Sequence, residues 1–203
     1  MEEPAPETAR IRVVHASPDA PAVDICANGT EAFRDVVFPS ASDYATVEVG
    51  TYQIRVVPAG TGCAGGGVIS ASLPLPADTD TTVVAVNTLD EIEPLVLEDD
   101  NSDPMAGMAK VRFVHASPDA PTVDITLTDG TTLFNDIEFK EVGSYIEAAA
   151  GTLDLEVRDA TGTVVVLTLE DVTLEAGGVY TVYAVGLLAG EPALGALITI
   201  DNE

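Results

Sequence analysis

Lysine is nearly missing from this chain. Lys110 and Lys140 are the only two among 203 residues, and Lys plus Arg total 8 against 34 Asp plus Glu. A field of that sign repels phosphate backbones, so nucleic acid is an ill-suited partner. Tryptophan is absent and aromatics make up 5% of the chain. With Val, Ala and Thr abundant, that profile favours strands over amphipathic helices. No window approaches the roughly 18 to 20 consecutive apolar residues of a membrane-spanning helix, so no transmembrane segment is expected. The opening MEEPAPET is acidic and proline-rich, unlike a signal peptide. It reads as a cytoplasmic start or as the start of a processed, mature chain, and the second fits the rest of the sequence better.

What is present is a folded, acidic chain. Apolar residues make up 46%, enough for a core and too many for an acidic disordered tail. The acids are spread along the length: residues 10–97 carry 11 acids and 4 bases, and residues 110–200 carry 14 acids and 4 bases. An all-negative surface repels itself in dilute buffer and is tolerated when salt screens it, at a Debye length of roughly 3 Å in 1 M salt. The composition suits a halophile. The rival readings are a calcium-rich extracellular protein and an ordinary acidic mesophile protein.

One segment occurs twice. Arg12 to Ile25 reads RVVHASPDAPAVDI and Arg112 to Ile125 reads RFVHASPDAPTVDI, an offset of 100 residues. The chain is expected to be two tandem copies of one domain: copy 1 over 10–97, an acidic linker over 98–109, and copy 2 over 110–203. Residues 1–9 read as a flexible lead-in. In copy 1, strand signals fall at Ile11–His15, Val23–Ala27, Tyr44–Val49, Tyr52–Val57, Val68–Leu75, Thr82–Asn87 and Leu95–Leu97. Asn28-Gly29 and Asp129-Gly130 are two-residue hairpin signals. Val179–Val185 reads as a central strand. Short strands at this spacing, with no capped helical window, predict an all-β chain of two antiparallel β-sandwiches, immunoglobulin- or transthyretin-like.

Cys26 and Cys63 align with Thr126 and roughly Thr163, so neither thiol is required by the fold. The two are expected to form a disulfide whose loop of about 36 residues adds roughly 3 to 4 kcal/mol; the alternative is two buried thiols. A disulfide implies an oxidising compartment. In the repeated segment, Pro18 and Pro118 follow a strand end, Asp19 and Asp119 can close a turn, and Pro21 and Pro121 start the next strand. His15 and His115 can satisfy backbone groups at the corner. Asp24 and Asp124 sit within apolar strands, either facing solvent or pairing with His or with Arg12 and Arg112. Read as chemistry, His15, Asp19 and Asp24, with His115, Asp119 and Asp124, could bind a metal or small ligand. One histidine per copy is a thin ligand set. Ser17 and Ser117 have no nucleophile elbow around them. The glycines from Gly60 to Gly67 lack the lysine and helix of a phosphate loop. The acidic stretch Glu98 to Asp103 could hold calcium, but lacks regular ligand spacing and reads as a solvated hinge.

These HASPDAP segments are followed in each copy by a turn, a run such as Phe33 to Phe38 or Phe134 to Phe139, a tyrosine and a Gly-Thr strand. In this the chain resembles the domain-of-unknown-function 4397 family over nearly its whole length. The resemblance implies an exported or surface-associated protein of the kind found in bacteria and haloarchaea, often in tandem. It implies no established activity, cofactor or site residues. The reading is therefore a non-catalytic secreted or cell-surface protein with a structural, adhesive or envelope-assembly role. It needs no cofactor, and its partners would be copies of itself or other surface proteins. The alternative is a binding module at the His–Asp corner.

Overall fold

The computed structural model describes residues 5–203. Of the N-terminal lead-in, residues 1–4 lie outside the described residues, while Thr8 and Ala9 already belong to the first strand. The chain divides into two compact units, Met1–Asp99 and Asp100–Glu203. Unit 1 contains β1 (Thr8–His15), β2 (Val23–Ala27), β3 (Thr30–Val36), β4 (Ser40–Ala41), β5 (Ala45–Glu48), β6 (Gly50–Pro58), β7 (Ile69–Leu75), β8 (Asp80–Val86) and β9 (Glu93–Asp99). Unit 2 contains β10 (Met108–His115), β11 (Val123–Leu127), β12 (Thr132–Ile137), β13 (Ile146–Ala149), β14 (Gly151–Asp159), β15 (Val165–Leu174), β16 (Val179–Val185) and β17 (Gly195–Ile200). The acidic stretch is thus shorter than its composition suggests: Glu98 and Asp99 close β9, and Met108 and Ala109 open β10.

Each unit is a sandwich. In unit 1 one sheet runs β4-β1-β8-β9, with β5 also on β1, and the other runs β3-β2-β6-β7. Ile11, Val13 and Val83 from the first sheet meet Val23, Ile25, Ile54 and Val56 from the second in one apolar cluster. Unit 2 repeats this with β13-β10-β16-β17 against β12-β11-β14-β15. Its cluster joins Val111, Phe113 and Val182 to Ile125, Phe134 and Leu155. The alternation expected of half-buried strands is plain in β14, where Leu155 and Val157 are buried and Asp154, Glu156 and Arg158 are exposed or partly so; β6 follows it at Ile54 and Val56, while Val57 is buried as well. The chain changes sheets at a glycine: β5 pairs with β1 and β6 with β2, separated by Val49 alone. The matching Gly151 in unit 2 has φ +147°.

Three features depart from the sequence-based expectation. The sheets are antiparallel except at one central pair per unit, where β1 lies parallel to β8 and β10 to β16. Parallel neighbours need a long crossover, and here most of the unit lies between them. β16 is buried at every position, as a strand with sheet neighbours on both sides and a parallel partner should be. β3 was not signalled in copy 1, because register shifts beside Ile25 break its alternation. Finally, Asn28-Gly29 makes the predicted tight turn with both residues at positive φ. Asp129-Gly130 does not: β11 ends at Leu127 and β12 starts at Thr132, and Asp129 accepts from the Thr131 amide at 2.9 Å instead.

Candidate functional site

The repeated segment forms the corner from β1 to β2 and from β10 to β11. His15 ends β1 on the core side, 1% exposed, and His115 is fully buried. Each donates from Nε2 to the carbonyl across the corner, His15 to Pro21 and His115 to Pro121, both at 3.0 Å. Since a carbonyl only accepts, Nε2 carries the proton. Burial pushes both imidazoles below their ordinary value of 6.5, partly offset by the proline carbonyl, so both are neutral. Phe38 and Phe139 meet the rings edge-on at 6.3 and 6.1 Å.

The aspartates go elsewhere. Asp19 accepts from the Leu89 amide at 2.7 Å, and Asp119 from the amides of Leu188 and Ala189 at 2.7 and 3.0 Å. Each clamps the loop after the central parallel strand to the corner. Asp24 accepts from the amides of Asp35 at 2.9 Å and Gly60 at 2.8 Å. These two bonds, Asp35 first, hold its carboxyl below the usual carboxylate range. Asp124 accepts from the Asp136 amide at 2.7 Å. Asp35 and Asp136 sit at φ +47° and +53°, a conformation unusual outside glycine, at the end of β3 and β12. The carboxylate holds the strained residue in place. Asp24 is therefore neither solvent-facing nor paired with His15 or Arg12, as its place in an apolar strand suggested. It is buried and bonded to backbone from two other segments.

The three residues of each copy thus reach in three directions and close three different parts of the fold. Net, each such bond is worth about 1 kcal/mol. Among the described residues no group of three or more His, Cys, Asp or Glu is placed to hold a metal. Ser117 Oγ donates to the Gly186 carbonyl at 2.7 Å, and Ser17 Oγ is buried without a partner. In the acidic stretch, Asp100 accepts from Ser102 and pairs with Lys110 at 3.0 Å. Those bonds, the Ser102 hydroxyl first, lower its carboxyl to about 2.

A second repeated constellation escaped the sequence reading. On the sheet face away from the core, Arg12 Nε donates to Thr82 Oγ1 at 2.7 Å, and Thr82 and Tyr44 both donate to Asp99 Oδ2 at 2.6 Å. The Arg12 guanidinium lies 4.7 Å over the Tyr44 ring. In unit 2, Arg112 donates to Thr181 at 2.8 Å, and Thr181 and Tyr145 donate to Asp201 Oδ2 at 2.5 and 3.0 Å. Arg112 stacks on Tyr145 at the same 4.7 Å. Arg112 is 2% exposed and Asp201 fully buried. The signal was available: all four residue types recur at offsets of 99 to 102.

Cys26 and Cys63 form a disulfide, with Cα atoms 5.8 Å apart. It ties β2 to the glycine-rich β6–β7 loop, whose Cys63 and Gly65 carbonyls accept from the Arg55 guanidinium at 2.8 and 2.5 Å. No helix among the described residues is long and apolar enough to cross a membrane.

The family model described as domain of unknown function (DUF4397) matches residues 9–126 and 126–203. No curated protein matches the chain. Among solved structures, the C-terminal domain of AlgF from P. aeruginosa is similar at 20% identity, over 48% of this chain and 99% of that one, with a TM-score of 0.34. The Bacillus anthracis TIE protein is similar at 11% identity, over 89% of this chain and 34% of its own, with a TM-score of 0.28. Both superpositions are too loose to bear on fold or role.

Proposed function

We propose that this chain, which belongs to the family described as domain of unknown function (DUF4397) and carries that domain twice, is a non-catalytic protein of the cell exterior. Its role is structural, adhesive or in envelope assembly. The observation that supports this most is where the repeated polar residues are engaged. His15, Asp19 and Asp24, and their counterparts His115, Asp119 and Asp124, bond to backbone groups of their own unit. A catalytic site needs nucleophile, base and oxyanion donors converging on one point. The Cys26–Cys63 disulfide supports an oxidising compartment. The net charge of −26 supports life in concentrated salt. Contact with further copies or other surface proteins would use sheet edges, such as β15 with its exposed Val165.

Two experiments test this reading. A tagged chain on intact cells of its source should be reached by a membrane-impermeant antibody; a signal only after lysis contradicts the location. The thermal midpoint should rise steeply between about 0.1 and about 3 M salt, as screening relieves the self-repulsion. A flat response contradicts the halophilic part.

A further inference from the structure

The two units differ where β3 and β5 form the open edge of the unit 1 sandwich. Between its sheets lies a cavity of about 50 Å³, walled by Ile11, Val13, Ile54 and Val56 among other apolar side chains. The wall continues to Ala32 and Phe33 on β3 and to Ala45 and Val47 on β5, which are partly or fully exposed. The cavity therefore leads out at this edge. A polar hollow begins at the same rim, sharing Phe33 and Ala45 with the cavity and bringing Arg34, Asp35, Ser40 and Asp43.

Three differences between the copies account for the cavity. The strand registers put Phe113 in the place of Val13, Ile146 in that of Ala45 and Gly143 in that of Ser42. Phe33 and Phe134 correspond, each opposite Ile25 or Ile125. Phe134 packs directly on Gly143, where an added Cβ would come within 2.7 Å of its ring. Ser42 carries that Cβ, so Phe33 cannot take the equivalent position. Phe134 is accordingly 8% exposed, while Phe33 is only half-buried. In unit 2 the rings of Phe113 and Phe134 sit 6.2 Å apart within the core, with Ile146 packed against the same cluster.

We propose that unit 1 binds a small neutral amphiphile at the β3/β5 edge, its alkyl end in the cavity and its hydroxyl end in the polar hollow. An apolar cavity stays dry and accepts apolar guests. At about a third of the roughly 150 Å³ that holds benzene, it admits the end of a short chain and leaves the remainder at the mouth. Asp35 and Asp43 at the rim repel an anionic head, whereas a hydroxyl donates to a carboxylate and accepts from the Arg34 guanidinium.

Methyl-resolved NMR titration of the full chain with 1-hexanol tests this. Saturable shifts are expected for Ile11, Val13 and Ile54, with none in the unit 2 core. Ala45→Ile, which copies unit 2 at the mouth, should weaken binding about tenfold or more, and Val13→Phe should abolish it. Should Val13→Phe fail to fold, Ala45→Ile alone decides, because its site is only partly buried. Hexanoate should bind more weakly than 1-hexanol. The proposal is overturned by the absence of saturable shifts, by equal shifts in both units, by unchanged binding to Ala45→Ile, or by hexanoate binding as well as the alcohol.

Discussion

Set unit 1 beside unit 2 and the corner is the same while the interior is not. Each HASPDAP segment makes the same bond from His to the second proline carbonyl and sends its aspartate to the loop after the central parallel strand, and Asp24 and Asp124 just beyond it hold the ends of β3 and β12. The Arg–Thr–Asp–Tyr network is likewise duplicated. Inside, Phe113 stands where unit 1 has Val13, Gly143 where it has Ser42 and Thr126 where it has Cys26. What both copies keep is what closes the sandwich. What they have changed is how each core is filled and what fastens it. Unit 1 has a cavity and a covalent tie; unit 2 has an aromatic pair and no tie.

The largest effect should come from the tie. Cys26→Ala with Cys63→Ala should destabilise unit 1 by about 4 kcal/mol in the loop-entropy picture. Calorimetry should then show the unit 1 transition moved down and that of unit 2 in place; a loss shared equally would break the comparison. The duplicated network predicts the opposite pattern. Asp99→Ala and Asp201→Ala should cost about 3 kcal/mol each, because each removes the carboxylate from a buried guanidinium assembly. Similar losses in denaturant unfolding sharpen the claim that both units need it. Phe113→Val should cost unit 2 about 2 kcal/mol by opening space that unit 1 already has, measured in the same way.

The smallest effect is in pH. Both imidazoles are held neutral, their values lowered by burial from 6.5. The unfolded chain therefore binds protons more readily once the pH drops below about 6.5. The stability they confer is fully present above that pH and declines as pH falls toward their folded values. Each contributes a slope of up to about 1.4 kcal/mol per pH unit in that window. His15→Gln with His115→Gln should flatten the difference between stability at pH 7.5 and pH 5.5 relative to the unaltered chain; an identical profile would mean the rings are not buried neutral.

Much of this was legible in the residues. The repeat marked the corner, strand periodicity the sandwiches, and the paired cysteines the disulfide. The rest was hidden for physical reasons. Strand direction depends on which distant segment lies beside β1, so the parallel partnership with β8 leaves no local trace. Asp24 and Asp124 looked solvent-facing or ion-paired because their partners are backbone amides at 35, 60 and 136, which no pattern of side chains announces. β3 was hidden because the register shifts beside Ile25 break its apolar alternation. Only the buried arginine network was missed without need, since a copy-to-copy comparison of Tyr44 with Tyr145 and Asp99 with Asp201 exposes it.

Amide hydrogen exchange reads the role of the corner most directly. The amides of Leu89, Asp35 and Gly60, and of Leu188 and Asp136, should exchange slowly although they lie in loops and at strand ends. Asp19→Ala should release Leu89 alone, Asp24→Ala should release Asp35 and Gly60, and core-strand amides such as that of Val84 should remain protected. Fast exchange at these positions in the unaltered chain would contradict the reading of HASPDAP as a structural clamp.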